Sequence, residues 1–419
     1  MFRKFKADHL FTGTEMFGND KVLITKINGE VEAIVDGENA GDNVEFLTGI
    51  LSPGFINAHC HLELSHMKGL VPERTGLVDF VFEVVTKRNF SEEKMLEAIT
   101  SAENEMLANG IVAVGDICNN LLTLQQKSTQ RILYYNFVET SGWDPSVAGI
   151  RFERAMSLYN EFSELNRQGA KGNGQGAIGN SQESKDFRSG DKLHSSTSIV
   201  PHAPYSVSDN LWKLITNFDQ NKVISIHNQE TPFEDEFFLK GSGDLIKMYR
   251  LMNIDNSHFK VSKKTSVQSY FKRLAKVQSI ILVHNTFTSA ADVTFINKQI
   301  YQGQLISFCI CANANKYIEG AIPPVEMLMQ NNGNLVVGTD SLASNHHLNI
   351  LEELKTISKN FPAITLSSLL KWATLNGARA LQFDKMFGSF EKGKIPGVVL
   401  IKNVAEGKLE QRSTAERIL

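Results

Sequence analysis

The stretch LSPGFINAHCHLELSHMKG, residues 51–69, opens on a Pro-Gly turn, runs through the apolar segment Phe55–His59 and ends in His59-Cys60-His61. A short apolar run bounded by turn residues reads as a strand buried on both faces, the kind a parallel sheet needs. Side chains at i and i+2 of a strand leave on the same face, so His59 and His61 project together while Cys60 points away. The pair reads as two imidazole ligands for a metal, and Cys60 as packing.

The same grammar recurs downstream. Candidate strands follow at Ile111–Asp116, Ile132–Glu139, Ser198–His202, Val223–His227, Ile280–His284, Leu305–Phe308 and Leu335–Asp340. Helix signals separate them: Ser91 precedes Glu92 and Glu93, Gly110 closes that helix, and others begin near Ser208, Ser266, Thr288 and Leu348. Strands alternating with helices predict a parallel sheet, and eight such strands predict an α/β fold of the (β/α)8 TIM-barrel type.

Active sites of such barrels lie at the C-terminal ends of the strands. Five candidate strands end in, or run into, a metal-ligand residue: the first at His59-Cys60-His61, then His202, His227, His284 and Asp340. With only 11 histidines in 419 residues, their gathering at one edge is a pattern rather than scatter. His227 adds a third imidazole and Asp340 a carboxylate, which suits zinc or ferrous iron with a position left for water.

The two ends of the chain read differently. KVLITKING and EVEAIVDGENAGD look like short strands joined by a hairpin at Asn28-Gly29, and GSFEKGKIPGVVLIKN near the C-terminus ends in the apolar run Val398–Ile401. Residues 1–52 and 385–419 are therefore expected to form one small composite β-sandwich domain beside a barrel of residues 53–384. The polar, Gly-rich stretch 167–191 is expected to be a flexible surface excursion between the third and fourth barrel strands.

Composition narrows the function classes. Net charge is −3 with signs mixed along the chain, unlike the basic footprint of a nucleic-acid binder. No apolar run approaches the roughly 18 residues of a membrane span, and MFRKFKADHLF lacks the apolar core of a secretion signal. Cys60, Cys118, Cys309 and Cys311 show no disulfide framework. The expectation is a soluble cytoplasmic protein with a small-molecule substrate, for which a homodimer is allowed.

These residues carry a resemblance. LSPGFINAHCHLELSHMKG resembles the first-strand motif of the amidohydrolase superfamily, and HNQE (227–230), VHNT (283–286), CANAN (311–315) and GTDSLASN (338–345) look like its later motifs in the correct order. The resemblance spans nearly the whole chain. Binuclear members bridge their metals with a carboxylated lysine or glutamate, usually at the end of strand four. Here that position reads SIVPHAPYS, so the resemblance implies one divalent ion, zinc or iron(II). The pair His227 and Glu230 is similar to that of the mononuclear deaminases and chlorohydrolases acting on nucleobases, nucleosides and triazines.

By that resemblance His59, His61, His227 and Asp340 bind the metal. Asp340 would accept the proton of the attacking water, His284 would orient and stabilise the attacking oxygen, and Glu230 would protonate the ring nitrogen beside the attacked carbon. His202 in PHAPYSVS matches a histidine that reaches the sugar or ring of the substrate. Glu63 and Ser65, in HLELS, resemble the pattern of aminodeoxyfutalosine deaminases; Glu63 could equally orient a metal-bound histidine. Phe80 and Phe82 could stack on a base or belong to the core. One departure is Cys311-Ala312, where the family usually has proline after the cysteine, which puts substrate contacts in doubt.

The implied activity is hydrolytic deamination of an adenine-like nucleoside of the aminodeoxyfutalosine, S-adenosylhomocysteine or methylthioadenosine type. Two other readings stand beside it: a chlorohydrolase or cyclic-amide hydrolase, and a non-catalytic barrel scaffold.

Overall fold

The chain begins with β1 (Phe2–Phe11), β2 (Met16–Phe17), β3 (Lys21–Lys26), β4 (Val31–Asp36) and β5 (Glu45–Pro53) in the computed structural model, which describes residues 1–171 and 195–419. The β3–β4 hairpin turns at Asn28-Gly29, where Gly29 takes φ +84° and its N–H donates to the Lys26 carbonyl at 3.0 Å. β5 leads straight into β6 (Phe55–Cys60), followed by β7 (Ile111–Cys118), β8 (Leu133–Thr140), β9 (Ser196–Pro201), β10 (Val223–Asn228), β11 (Ser279–His284), β12 (Leu305–Ile310) and β13 (Asn334–Val337). β14 (Val398–Ala405) and β15 (Lys408–Arg417) then return to the starting sheet.

Both chain ends share one seven-stranded sheet in the order β15-β14-β5-β1-β3-β4, with β2 paired to β1. β14 docks antiparallel on β5, Val398 opposite Pro53 and Ile401 opposite Ile50. Phe5, Leu10, Leu23, Leu51, Phe390, Val398 and Leu400 form its own apolar cluster.

All eight strands expected for the middle of the chain are present, as two four-stranded parallel sheets, β6-β7-β8-β9 and β10-β11-β12-β13. β6, β7, β10 and β11 are buried at every residue, as continuous apolar runs require. Backbone hydrogen bonds join the edges of the two sheets. Thr339 and Asp340 N–H both donate to the His59 carbonyl, at 3.0 and 3.1 Å, and His227 N–H donates to the His202 carbonyl at 3.0 Å. β13 stops at Val337, short of the expected Asp340, because Asp340 takes φ +58° and leaves the extended region.

Helices start within two residues of their sequence signals. Ser91 precedes Glu92–Ala108 in extended conformation without a side-chain cap bond, while Ser208 caps Asp209–Thr216. Ser289 rather than Thr288 caps Ala290–Gln299, in a reciprocal box with Asp292, and Asn349 caps Ile350–Asn360. The helix Ala148–Lys171 runs into the Gly-rich stretch, so residues 167–171 are helical rather than irregular; residues 172–194, and with them most of that stretch, lie outside the described residues. Among the described residues no helix is long and apolar enough to cross a membrane.

Beneath the first strand's histidines lies a buried ion pair. Lys127 Nζ sits 2.6 Å from Asp116 Oδ2, with both side chains at most 1% exposed. Lys127 also donates to Asn136 Oδ1 at 2.9 Å and Cys118 Sγ at 3.1 Å, which uses all three ammonium hydrogens. The other oxygen, Asp116 Oδ1, accepts from Leu62 N–H at 2.8 Å. The pair therefore holds the chain immediately after His61. Removing one partner of such a pair leaves an uncompensated buried charge and costs about 3–5 kcal/mol. Lys127→Met should lower the urea midpoint accordingly, and Asp116→Asn/Lys127→Met, which keeps an acceptor for Leu62, should recover most of the loss. A single variant within about 1 kcal/mol of the parent would refute this account.

Candidate metal centre and active site

His59 is the next-to-last residue of an apolar strand and His61 follows its last, and the two imidazoles converge, Nε2 to Nε2, at 3.2 Å. Asp340 Oδ1 lies 3.7 Å from His59 Nε2 and 3.4 Å from His61 Nε2. His227 completes the group, its ring centroid 5.0 Å from His59 and 5.5 Å from His61. One donor atom from each of these four buried residues lies within 4.8 Å of every other. Cys60 is fully buried and stands outside the group, as its opposite projection requires.

The outer nitrogens of two of these rings, His59 and His227, are occupied by the protein. His59 Nδ1 faces Ser225 Oγ at 3.3 Å, and His227 Nδ1 donates to the His202 carbonyl at 2.9 Å. Such contacts fix the tautomer and turn Nε2 toward the ion. Burial pushes His61 down to about 3 and His227 well below the usual imidazole range, so both stay neutral at physiological pH. Burial alone would raise Asp340, but the nearby His59, His61 and His284 rings outweigh it and hold the carboxyl ionised. Neutral imidazoles and an ionised carboxylate are the states a divalent cation needs. The donor set fits.

His284 and Glu230 face one another beside this group. His284 Nδ1 bonds to Asn315 Oδ1 at 2.9 Å, which leaves Nε2 to face Glu230 Oε1 at 3.6 Å. The His284 ring stacks on His227 at 5.3 Å between centroids. Glu230 is 4% exposed, and burial, against the pull of His284, raises its carboxyl to about 7. Its backbone is held by Glu234, whose carboxylate accepts from Gln229 N–H at 3.0 Å and Glu230 N–H at 3.3 Å. Left-handed backbone at Gln229 (φ +44°), His284 (φ +73°) and Asp340 (φ +58°) turns each strand end sharply. Non-glycine residues persist there only where surrounding bonds over-determine them. Ser344 supplies one such bond to Asp340 Oδ2 at 2.6 Å.

The residues expected to meet substrate separate into two kinds. The His202 ring lies 4.8 Å from His227, and burial lowers its pKa to about 4. Glu63 is buried, accepts from Asn119 N and Nδ2 at 3.0 Å each, and lines a cavity of about 390 Å³. Burial lifts its carboxyl to about 7. Ser65 is also buried, but its hydroxyl donates to the Leu62 carbonyl at 2.7 Å and closes the turn after His61. Phe80 packs into an apolar cluster with Trp143 and Phe237, while Phe82 is exposed.

Several residues of the site were not singled out from sequence. Ser225, Asn315 and Ser344 orient His59, His284 and Asp340, and Glu139 and Asn119 join Glu63 at the cavity. Asn315 lies in CANAN and Ser344 in GTDSLASN, so the motifs contained them without stating their partners. Asn315 also bears on the Cys311-Ala312 departure: Cys311 precedes the helix Ala312–Ile318, and that helix carries the bond to His284.

The model of the amidohydrolase family matches residues 50–414. An adenosine deaminase of Helicobacter pylori is 26% identical over 357 residues, covering 83% of this chain and 78% of that protein. The crystal structure of H. pylori aminofutalosine deaminase in complex with methylthio-coformycin superposes with a TM-score of 0.77 at 20% identity, covering 97% of this chain and 93% of the other. An adenosine deaminase from Xanthomonas campestris with bound zinc gives a TM-score of 0.67 at 20% identity, covering 95% and 84%. From the matched 50–414 span, which takes in every candidate ligand, the chain belongs to the amidohydrolase family.

Proposed function

We propose that this protein is a hydrolytic deaminase that replaces the exocyclic amino group of an adenine-like nucleoside with oxygen and releases ammonia. The observation that carries the reading is the Glu230–His284 pair, 3.6 Å apart, set against a complete three-histidine, one-aspartate donor group. A scaffold without catalysis has no reason to keep an acid of raised pKa beside a ligand set. Relatives named for deamination of adenosine and aminofutalosine support the same class.

We read the two four-stranded sheets as one closed (β/α)8 barrel over residues 53–384. The backbone bonds at both junctions, through His59 and His202, support closure. Residues 1–52 and 385–419 are read as a composite β domain, since both ends enter one sheet.

His59, His61, His227 and Asp340 would hold a single ion, which we take to be zinc. Such an ion lowers the pKa of water from 15.7 to about 7 and so supplies a nucleophile at neutral pH. In a second nearby group, Glu139, His202 and His227, the His227 Nδ1 is committed to the His202 carbonyl and the other His227 nitrogen serves the first group. Asp340 takes the proton of the attacking water. His284, with Nδ1 anchored on Asn315, orients the attacking oxygen through Nε2. Glu230 delivers a proton to the ring nitrogen beside the attacked carbon, which makes that carbon electrophilic. His202 binds the ring or the sugar.

Three outcomes test this. Elemental analysis should give about one zinc per chain, and His227→Ala should lose metal and activity together; two equivalents, both required, would defeat the mononuclear reading. Glu230→Gln should keep its zinc while turnover falls by about 10² to 10⁴, the usual worth of a general acid; loss of metal would make Glu230 a ligand instead. Ammonia release should favour nucleosides such as aminodeoxyfutalosine, 5′-methylthioadenosine or S-adenosylhomocysteine over free adenine or cytosine. His202→Ala should erode that preference. A preference for the free base would leave only the reaction class standing.

A further inference from the structure

We propose that Glu139 reads the sugar of the substrate, its carboxylate accepting hydrogen bonds from vicinal hydroxyls in a subsite between the metal centre and the 390 Å³ cavity. The proposal rests on the nucleoside reading above.

Glu139 is the next-to-last residue of β8, at the same strand edge as the candidate ligands. Its side chain is 8% exposed. Oε2 accepts from Asn119 Nδ2 at 3.2 Å, whereas Oε1 is buried with no hydrogen-bond partner. The nearest ring donor, His227 Nδ1, is 3.7 Å away and already gives its proton to the His202 carbonyl at 2.9 Å. A buried acceptor left without a donor is costly, and native structures leave few of them. This one faces a place where something else arrives.

Two observations say what arrives. One carboxylate oxygen of Glu139 lies within 4.8 Å of ring nitrogens of His202 and His227, so the subsite adjoins the position of the reacting ring. The same side chain lines the cavity beside Glu63, and Asn119 Nδ2 bonds to both carboxylates, at 3.0 Å to Glu63 and 3.2 Å to Glu139. Two carboxylates held side by side by one amide keep lone pairs for two neighbouring donors. Those donors are ammonium groups or hydroxyls. Arg88, Arg151 and Arg154 on the cavity wall oppose a cation, which leaves neutral hydroxyls. A vicinal diol attached to the reacting base is the geometry that meets both carboxylates. A cavity of about 390 Å³ is within the usual range for small-molecule sites, about 300–1,000 Å³.

The test compares zinc-loaded wild type and Glu139→Gln on adenosine, 2′-deoxyadenosine, 3′-deoxyadenosine and 2′,3′-dideoxyadenosine, with zinc content measured in parallel. Loss of two hydrogen bonds to buried carboxyl groups predicts a fall of about 10- to 100-fold in wild-type kcat/KM from adenosine to the dideoxy compound. Glu139→Gln should lose a similar factor on adenosine, treat adenosine and the dideoxy compound within about threefold of each other, and keep its zinc. Equal losses on all four compounds, or loss of zinc, would overturn the proposal and make Glu139 a support for His227. So would a wild type indifferent to both hydroxyls. Calorimetric binding of inosine and 2′,3′-dideoxyinosine to both proteins reads the same preference without turnover. A hydroxyl preference there, with no ammonia from any nucleoside, would fail the deaminase reading and leave Glu139 standing.

Discussion

Everything near the strand ends depends on gathering three imidazoles and a carboxylate in a space from which water is largely removed. Burial keeps His61 and His227 neutral, and the same burial would neutralise Asp340 were the surrounding rings not close enough to hold it ionised. The group can exist only if each side chain is fixed from behind. The backbone carbonyls of the histidines supply part of that fixing. The His202 carbonyl accepts both the backbone N–H and Nδ1 of His227, and the His59 carbonyl accepts two N–H groups from the Asp340 turn. The bonds that tie one four-stranded sheet to the other are therefore made by residues of the site itself, so metal geometry and fold are not separable features.

Left-handed backbone occurs at these strand ends as well. His284 and Asp340 sit in left-handed backbone that β-rich sequences avoid, and each is held by a bond to its side chain, from Asn315 and Ser344. Further out, Glu234 fixes the Gln229–Glu230 turn, and the buried Lys127–Asp116 pair fixes the turn after His61. These outer contacts are polar and buried, hence worth little unless complete. Lys127 uses all three of its ammonium hydrogens there, whereas Glu139 Oε1, near His227, is a buried acceptor without a hydrogen-bond partner.

The strands and the ligand residues could be read from the chain because both are local signals. A short apolar run of about four to eight residues has one plausible fate in a chain that alternates with helix caps, and all eight such runs became strands. Boundaries drifted where backbone sign mattered: β13 ended early at the Asp340 turn, and the helix after β8 continued into a stretch whose composition argued for irregularity. Phe80 and Phe82 looked alike in sequence yet one is core and the other exposed, since two residues along a helix face nearly opposite sides.

Sequence alone determined which residue types stand at which strand ends, because periodicity and turn chemistry act over a few neighbours. It thereby named His59, His61, His202, His227, His284 and Asp340 as strand-end residues, and the resemblance of the HNQE segment to a family motif added Glu230. Only tertiary structure decided which distant side chains complete them. Ser225 behind His59, Asn315 behind His284 and the Asn119 bridge between Glu63 and Glu139 join residues from 20 to 166 positions apart. No local pattern encodes such partners, since a serine or asparagine acquires its role from what packs against it.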